Sequence, residues 1–169
     1  MSKFSKYRLL LILAAAVLFL DQATKLWIVN TLPFEGAFFP PDAIEVIPGF
    51  FNIVYVTNTG AAWSMFSEYT WALTLVGVLA LGFIYFFRKP LELDQPKIQL
   101  GYGLIIGGII GNMIDRVRLQ RVIDFLDFHW KDYYFPSFNV ADSGITVGVI
   151  LYIFFTFRQS KKSEESSAE

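Results

Sequence analysis

The chain has 169 residues, 54% of them hydrophobic with 18 Phe, and a formal net charge of −1. A soluble domain of this length cannot hide so much apolar surface, so the bilayer is the expected solvent, and a charge so near zero gives no reason to expect nucleic acid. With no Cys and a single His, His129, disulfides, thiolate nucleophiles, cysteine metal sites and HExxH chemistry are excluded.

The first residues are basic, with Lys3, Lys6 and Arg8, and an apolar run follows from Leu9 to Leu20. This beginning resembles a signal peptide. No small-x-small cleavage site precedes a polar start, however, and residues 21–25 lead straight back into Leu26-Trp27-Ile28-Val29. One transmembrane helix over about residues 7–29 is expected, long enough to cross ~30 Å of hydrocarbon. Asp21 and Lys25 stand four apart on it, the acid first, which is the better order for an ion pair. Such a pair is either structural, with Lys25 snorkelling outward, or in contact with a substrate.

Residues 30–69 differ in kind. Pro33, Pro40, Pro41, Pro48 and several Gly break any helix. Phe50 to Thr57 is β-branched and aromatic, which predicts a strand, and Asn58-Thr59-Gly60 predicts a turn. The segment has no Lys or Arg but carries Glu35, Asp42, Glu45 and Glu68. A small β-rich element at the membrane surface is expected.

A second span is expected over about 70–87, closed by Arg88-Lys89-Pro90, then a polar loop over 88–98 and a third span over about 99–115. Gly103, Gly107 and Gly111 recur every four residues, a stripe that lets another helix approach closely. Gly144 and Gly148 repeat the device in a fourth span, about 139–157. The charged, Ser-rich tail, 158–169, is expected to be disordered. The whole is a single membrane domain: an α-helical integral membrane protein of four transmembrane helices with a small β-rich cradle and an interfacial segment. The N-terminal tail, the 88–98 loop and the C-terminal tail carry three Lys or Arg each, against none in 30–69 and four in 116–138. The positive-inside rule places both termini in the cytoplasm and gathers the β-rich segment and the 116–138 loop outside.

Between Gly111 and Gly144 the chain carries five Asp. Asp124, wedged in Val-Ile-Asp-Phe, and Asp142, at the mouth of an apolar run, sit where a carboxylate is expensive, which makes each a functional candidate. Asn112 and Asp115 share a helix face at i, i+3, and Arg116 follows. Near a helix C-terminus Asp115 faces the negative end of the dipole, so a pairing with Arg116 or another cation is expected. The aromatics from Phe125 to Phe135 predict an interfacial segment lying on the bilayer. His129 lies among them with no Ser partner that the sequence points to, so a catalytic triad is not expected. Asn139 and Asp142 have the spacing of an N-cap and an acid at the third helical position. A capped helix start would suffice to explain them, were Asp124 not available beside Asp142. Two carboxylates held close share a proton: one accepts a proton from water while the other polarises a scissile carbonyl. The sequence leaves open which is which. A small transporter or proton path is the alternative, but it predicts charges near the bilayer midplane and an internal repeat. A structural subunit leaves the Asp pair unexplained.

Several spaced motifs, DQATK (21–25), NTGAA (58–62), GNMIDR (111–116), VIDF (122–125) and FNVADS (138–143), resemble those of the bacterial lipoprotein signal peptidases, or signal peptidase II. The resemblance covers the chain to about residue 157. It implies an aspartic endopeptidase of the inner membrane whose site faces the periplasm. Its substrate is a prolipoprotein bearing diacylglycerol on the lipobox Cys, held among membrane lipids and cut just before that Cys. Asp124 and Asp142 match the family's catalytic dyad. Asn58, Gly60, Ala61, Asn112, Asp115, Arg116, Asn139 and Ala141 match motif positions around the site, and Asp21 and Lys25 match the first-helix motif. Leu119-Gln120-Arg121 stands where the family often has a Gly-containing turn, and Trp63 where Phe is common. No metal or organic cofactor is called for, and a monomer is expected.

Overall fold

The computed structural model describes residues 6–34, 42–60, 69–131 and 133–168, with side chains described as far as residue 159. The elements in order are α1 (Arg8–Thr31), β1 (Ile44–Ile47), β2 (Phe51–Asn58), α2 (Thr70–Phe86), α3 (Pro96–Leu119), β3 (Val122–Trp130), β4 (Tyr133–Tyr134) and α4 (Val140–Ala168). Among the described residues, three helical stretches are long and apolar enough to cross a membrane: α1 and α3 with 24 residues each, and the 20 residues Val140–Gln159 of α4. α2, with 17 residues, is apolar but shorter.

α3 is the axis of the bundle, and its glycines are the reason. A Cβ on Gly107 would lie 2.6 Å from the Ala14 carbonyl oxygen of α1, and one on Gly101 would lie 2.8 Å from the Gly148 carbonyl oxygen of α4. Neither backbone oxygen can move aside, so only glycine lets the helices meet at that range. Gly103 and Gly111 also face α1, as the four-residue spacing predicts. Outward, α1, α2 and α4 present Phe19, Val76, Phe86 and Phe157, each at least 60% exposed, as lipid-facing surfaces require. At the end remote from the sheet, Lys6 pairs with Asp94 at 3.1 Å. Gln99 accepts from the Leu10 amide at 3.2 Å and donates to the Lys6 carbonyl at 2.8 Å, tying the start of α1 to that of α3.

The strands form one antiparallel order, β1-β2-β3-β4. The predicted strand appears as β2, but 122–130, expected as an aromatic-rich loop, is also a strand. The reason is pairing: Asn58 opposes Val122 and Val56 opposes Asp124, so β3's polar backbone is satisfied by β2. Its aromatics stack across the sheet, Phe128 on Phe51 at 4.5 Å. Trp130, Tyr133 and Phe135 stay exposed at its edge.

Two boundaries differ from expectation. α3 starts at Pro96, a residue whose fixed φ and missing amide hydrogen suit a first helical position. α4 runs to Ala168 where a disordered tail was expected from residue 158; Arg158, Gln159, Lys161, Lys162, Glu164, Glu165 and Ala168 favour helix there, among four Ser that favour it less. α3 ends with Gln120 at φ +57°, the left-handed cap that glycine fills most cheaply. Gln120 takes this left-handed conformation itself, at the position where a Gly would be unstrained.

Candidate active site

The end of the bundle where α1 and α3 finish and α4 begins is polar inside. Asp21 is fully buried and Lys25 nearly so. Lys25 does not snorkel: its Nζ donates to Asp21 Oδ2 at 2.9 Å and to Asn112 Oδ1 at 3.0 Å, and pairs with Asp115 Oδ2 at 2.7 Å. The ammonium's three hydrogens thus have three partners, which is what a buried cation demands. Asp115 accordingly pairs with a cation other than Arg116. Gln22 bridges the two acids, donating to Asp21 Oδ2 and Asp115 Oδ1, each at 3.1 Å. Asp21 Oδ1 reaches across to accept the Ala141 amide at 3.0 Å. A Cβ on Gly111 would lie 2.5 Å from Asp21 Oδ2, so that glycine makes room for the carboxylate.

The start of α4 is capped as its sequence predicts. The Asp142 amide donates to Asn139 Oδ1 at 3.0 Å, and the Asn139 amide donates to Asp142 Oδ2 at 3.3 Å. Because the cap occupies Asn139 Oδ1, its Nδ2 is left to donate to Asp124 Oδ1 at 2.7 Å. Likewise Lys25 has only donors, so Asn112 must turn Oδ1 to it and Nδ2 to Asp142 Oδ1, also 2.7 Å. Asn139 Nδ2 meets Asn112 Oδ1 at 3.2 Å and closes the circuit. Two amides therefore aim donors at both candidate carboxylates, which β3 and α4 bring from opposite sides.

Asp124 and Asp142 line one cleft of about 510 Å³ with Asn58, Gly60, Asn112 and Arg116. Its remaining walls are largely apolar, from the 135–138 segment and from Thr146 and Val147 of α4. Asn58 holds the turn, accepting the Gly60 amide at 2.9 Å, and also hydrogen-bonds Asp124. Arg116 donates from Nη2 to the Gly60 carbonyl at 3.3 Å and faces the cleft. Burial, and then the neighbouring charge of Asp142, push the Asp124 carboxyl up to about 7 against the pull of Asn139, Asn58 and Lys25. A carboxyl so placed exchanges its proton near neutrality, the condition for acid–base work.

The expected residues Asp21, Lys25, Asn58, Gly60, Asn112, Asp115, Arg116, Asp124, Asn139, Ala141 and Asp142 thus converge at one end of the bundle. Ala61 and Trp63 lie outside the described residues. Sequence reasoning missed Gln22, whose place one residue after Asp21 was the available signal, and Ser137, for which no local pattern exists.

The sequence and its overall fold are matched among known proteins. Residues 13–158 fit the family model described as Signal peptidase (SPase) II. A lipoprotein signal peptidase of Symbiobacterium thermophilum is 46% identical over 140 residues, 82% of this chain and 88% of that protein. One from Geobacter metallireducens is 41% identical over 95% of this chain and 98% of its own. A solved structure described as a bacterial membrane enzyme, obtained by the in meso method at 2.3 Å resolution, superposes with a TM-score of 0.78 at 34% identity, covering 90% of each chain. The chain belongs to the signal peptidase II family, and is a protease of the membrane.

Proposed function

We propose that the protein removes signal peptides from prolipoproteins that carry diacylglycerol on the lipobox Cys, cutting just before that Cys with Asp124 and Asp142 as the catalytic pair. The observation that carries this is the wiring of both carboxylates, through Asn112 and Asn139, into a single cleft. Asp142 lies at the N-terminus of α4, where the helix dipole favours negative charge, and serves as the base that takes a proton from water. Asp124 holds the shared proton near neutrality and donates it toward the scissile carbonyl oxygen as water attacks the carbon. The tetrahedral intermediate collapses as the peptide nitrogen gains a proton, releasing the signal peptide's carboxylate and the lipidated Cys amine. The titration belongs to the pair.

Membrane lipids fix the depth of the substrate, and the apolar wall from α4 receives it laterally; anchorage reduces the entropy lost on reaching the reactive geometry. In this reading all four helices span the inner membrane, both termini are cytoplasmic, the sheet is the periplasmic cradle and the enzyme works as a monomer. A transporter is disfavoured by acids gathered at one end of the bundle. Asp124→Asn and Asp142→Asn are expected to insert and fold while cleavage of lipidated precursor falls roughly a thousandfold. Near-normal cleavage by either purified variant would sink the dyad.

A further inference from the structure

The sheet holds another carboxylate that the cleavage step does not use. Asp127 lies three residues beyond Asp124 on β3 and is buried. Ser137 Oγ donates to its Oδ1 at 3.2 Å, Asn52 Nδ2 of β2 donates to its Oδ2 at 3.5 Å, and His129 Nδ1 lies 3.6 Å from that same oxygen. Ser, Asp and His are thus brought together, but with the carboxylate in the middle. A nucleophilic triad needs the imidazole between hydroxyl and carboxylate, so the cluster is not a second hydrolytic centre.

What the cluster touches is the cleft. Ser137 lines it, with Phe135, Pro136 and Phe138. Backbone bonds hold this wall to β3 at its two ends: the Phe135 amide donates to the Phe128 carbonyl at 2.9 Å, and the Phe138 amide to the Leu126 carbonyl at 3.1 Å. Between them Pro136 has no amide hydrogen to give. The Ser137 hydroxyl on Asp127 ties down the middle, and a bond to a carboxylate is the stronger kind.

We propose that Asp127 is a positioning residue for cleavage: through Ser137 it holds the 135–138 wall at the width that grips an extended peptide beside Asp124. The inference rests on the cleavage reading above. A wall grips the bound substrate and the transition state alike, so loosening it raises KM and leaves kcat. A merely structural role would do the reverse, lowering the amount of folded enzyme and hence kcat at constant KM.

The test uses the purified full-length enzyme and a synthetic lipobox peptide with S-diacylglyceryl cysteine. Ser137→Ala is expected to raise KM about tenfold with kcat preserved, while Ser137→Thr, which keeps the hydroxyl, restores KM. Asp127→Asn is expected to raise KM less, because its amide oxygen still accepts. The double variant Asp127→Asn/Ser137→Ala should be no worse than Ser137→Ala, since both act through one contact. A parental KM in Ser137→Ala, or a fall in kcat at unchanged KM, overturns the proposal. Should Asp127→Asn not fold, the two Ser137 variants still decide it. Asp124→Asn run alongside separates the two readings. If it cleaves normally, the catalytic assignment fails; if it is dead while Ser137→Ala behaves as the parent, only the positioning role falls.

Discussion

Burial, with the Asp142 carboxylate close by, moves the Asp124 carboxyl from an ordinary 3.8 up to about 7, and that shift is also a statement about stability. Between those values the folded protein holds a proton that the unfolded chain has released. Raising the pH through this window therefore favours unfolding. Asp124→Asn removes the group responsible, so the variant is expected to gain thermal stability relative to the parent at pH 8 and to lose that advantage near pH 4. Melting midpoints across this range check it; a constant difference between the two proteins would mean that Asp124 keeps an ordinary pKa. At this scale much of the site was legible. Asp124 and Asp142 stood out because a carboxylate among apolar neighbours is costly, and Asn139 because a cap has a fixed spacing. Asp127 and Ser137 did not, because ten residues and a change of direction separate them. Lys25 was only half read: its pairing with Asp21 follows from spacing, but its inward turn depends on Asn112, 87 residues away.

Among the elements, the glycine stripe of α3 was readable because helix geometry projects every fourth residue to one side. Its consequence can be measured. Gly107→Ala places a methyl 2.6 Å from the Ala14 carbonyl oxygen and is expected to destabilise the bundle by about 1–3 kcal/mol, a cost typical of overpacking. Gly82→Ala on α2 meets nothing within 4 Å and is expected to be neutral or slightly stabilising, as alanine favours helix. Equal losses of melting temperature in the two variants would contradict close packing at α3. β3 was the misread element. An aromatic-rich segment beside a membrane looks the same whether it lies on lipid or pairs as a strand, and the deciding partner, Asn58 opposite Val122, is remote in sequence. The Gln120 cap shows the converse, a turn kept without the glycine that would announce it.

For the molecule as a whole, the distribution of Lys and Arg argues that the sheet and cleft lie outside. A reporter inserted after Lys131, in the turn between β3 and β4, is expected to be active in the periplasm and silent in the cytoplasm; the opposite pattern would invert the topology and detach the cleft from exported substrates. The apolar content announced a membrane bundle, and the Pro-rich, Lys/Arg-free segment announced its β-rich attachment. How the bundle's end closes over buried charge was not legible, because that closure joins Asp21 to Ala141, 120 residues apart.

That separation bears on how the protein is born. The ribosome makes α1 first, and when it enters the bilayer Lys25 has Asp21 one turn away but neither Asn112 nor Asp115 yet exists. The pair enters half-satisfied and waits for α3. Asp21 in turn keeps an oxygen free for the Ala141 amide, which arrives only with the last helix. The same arrival delivers Asp142. On the dyad reading proposed above, a nascent chain is inert until its final helix docks, and completion of the fold and the onset of activity are a single event.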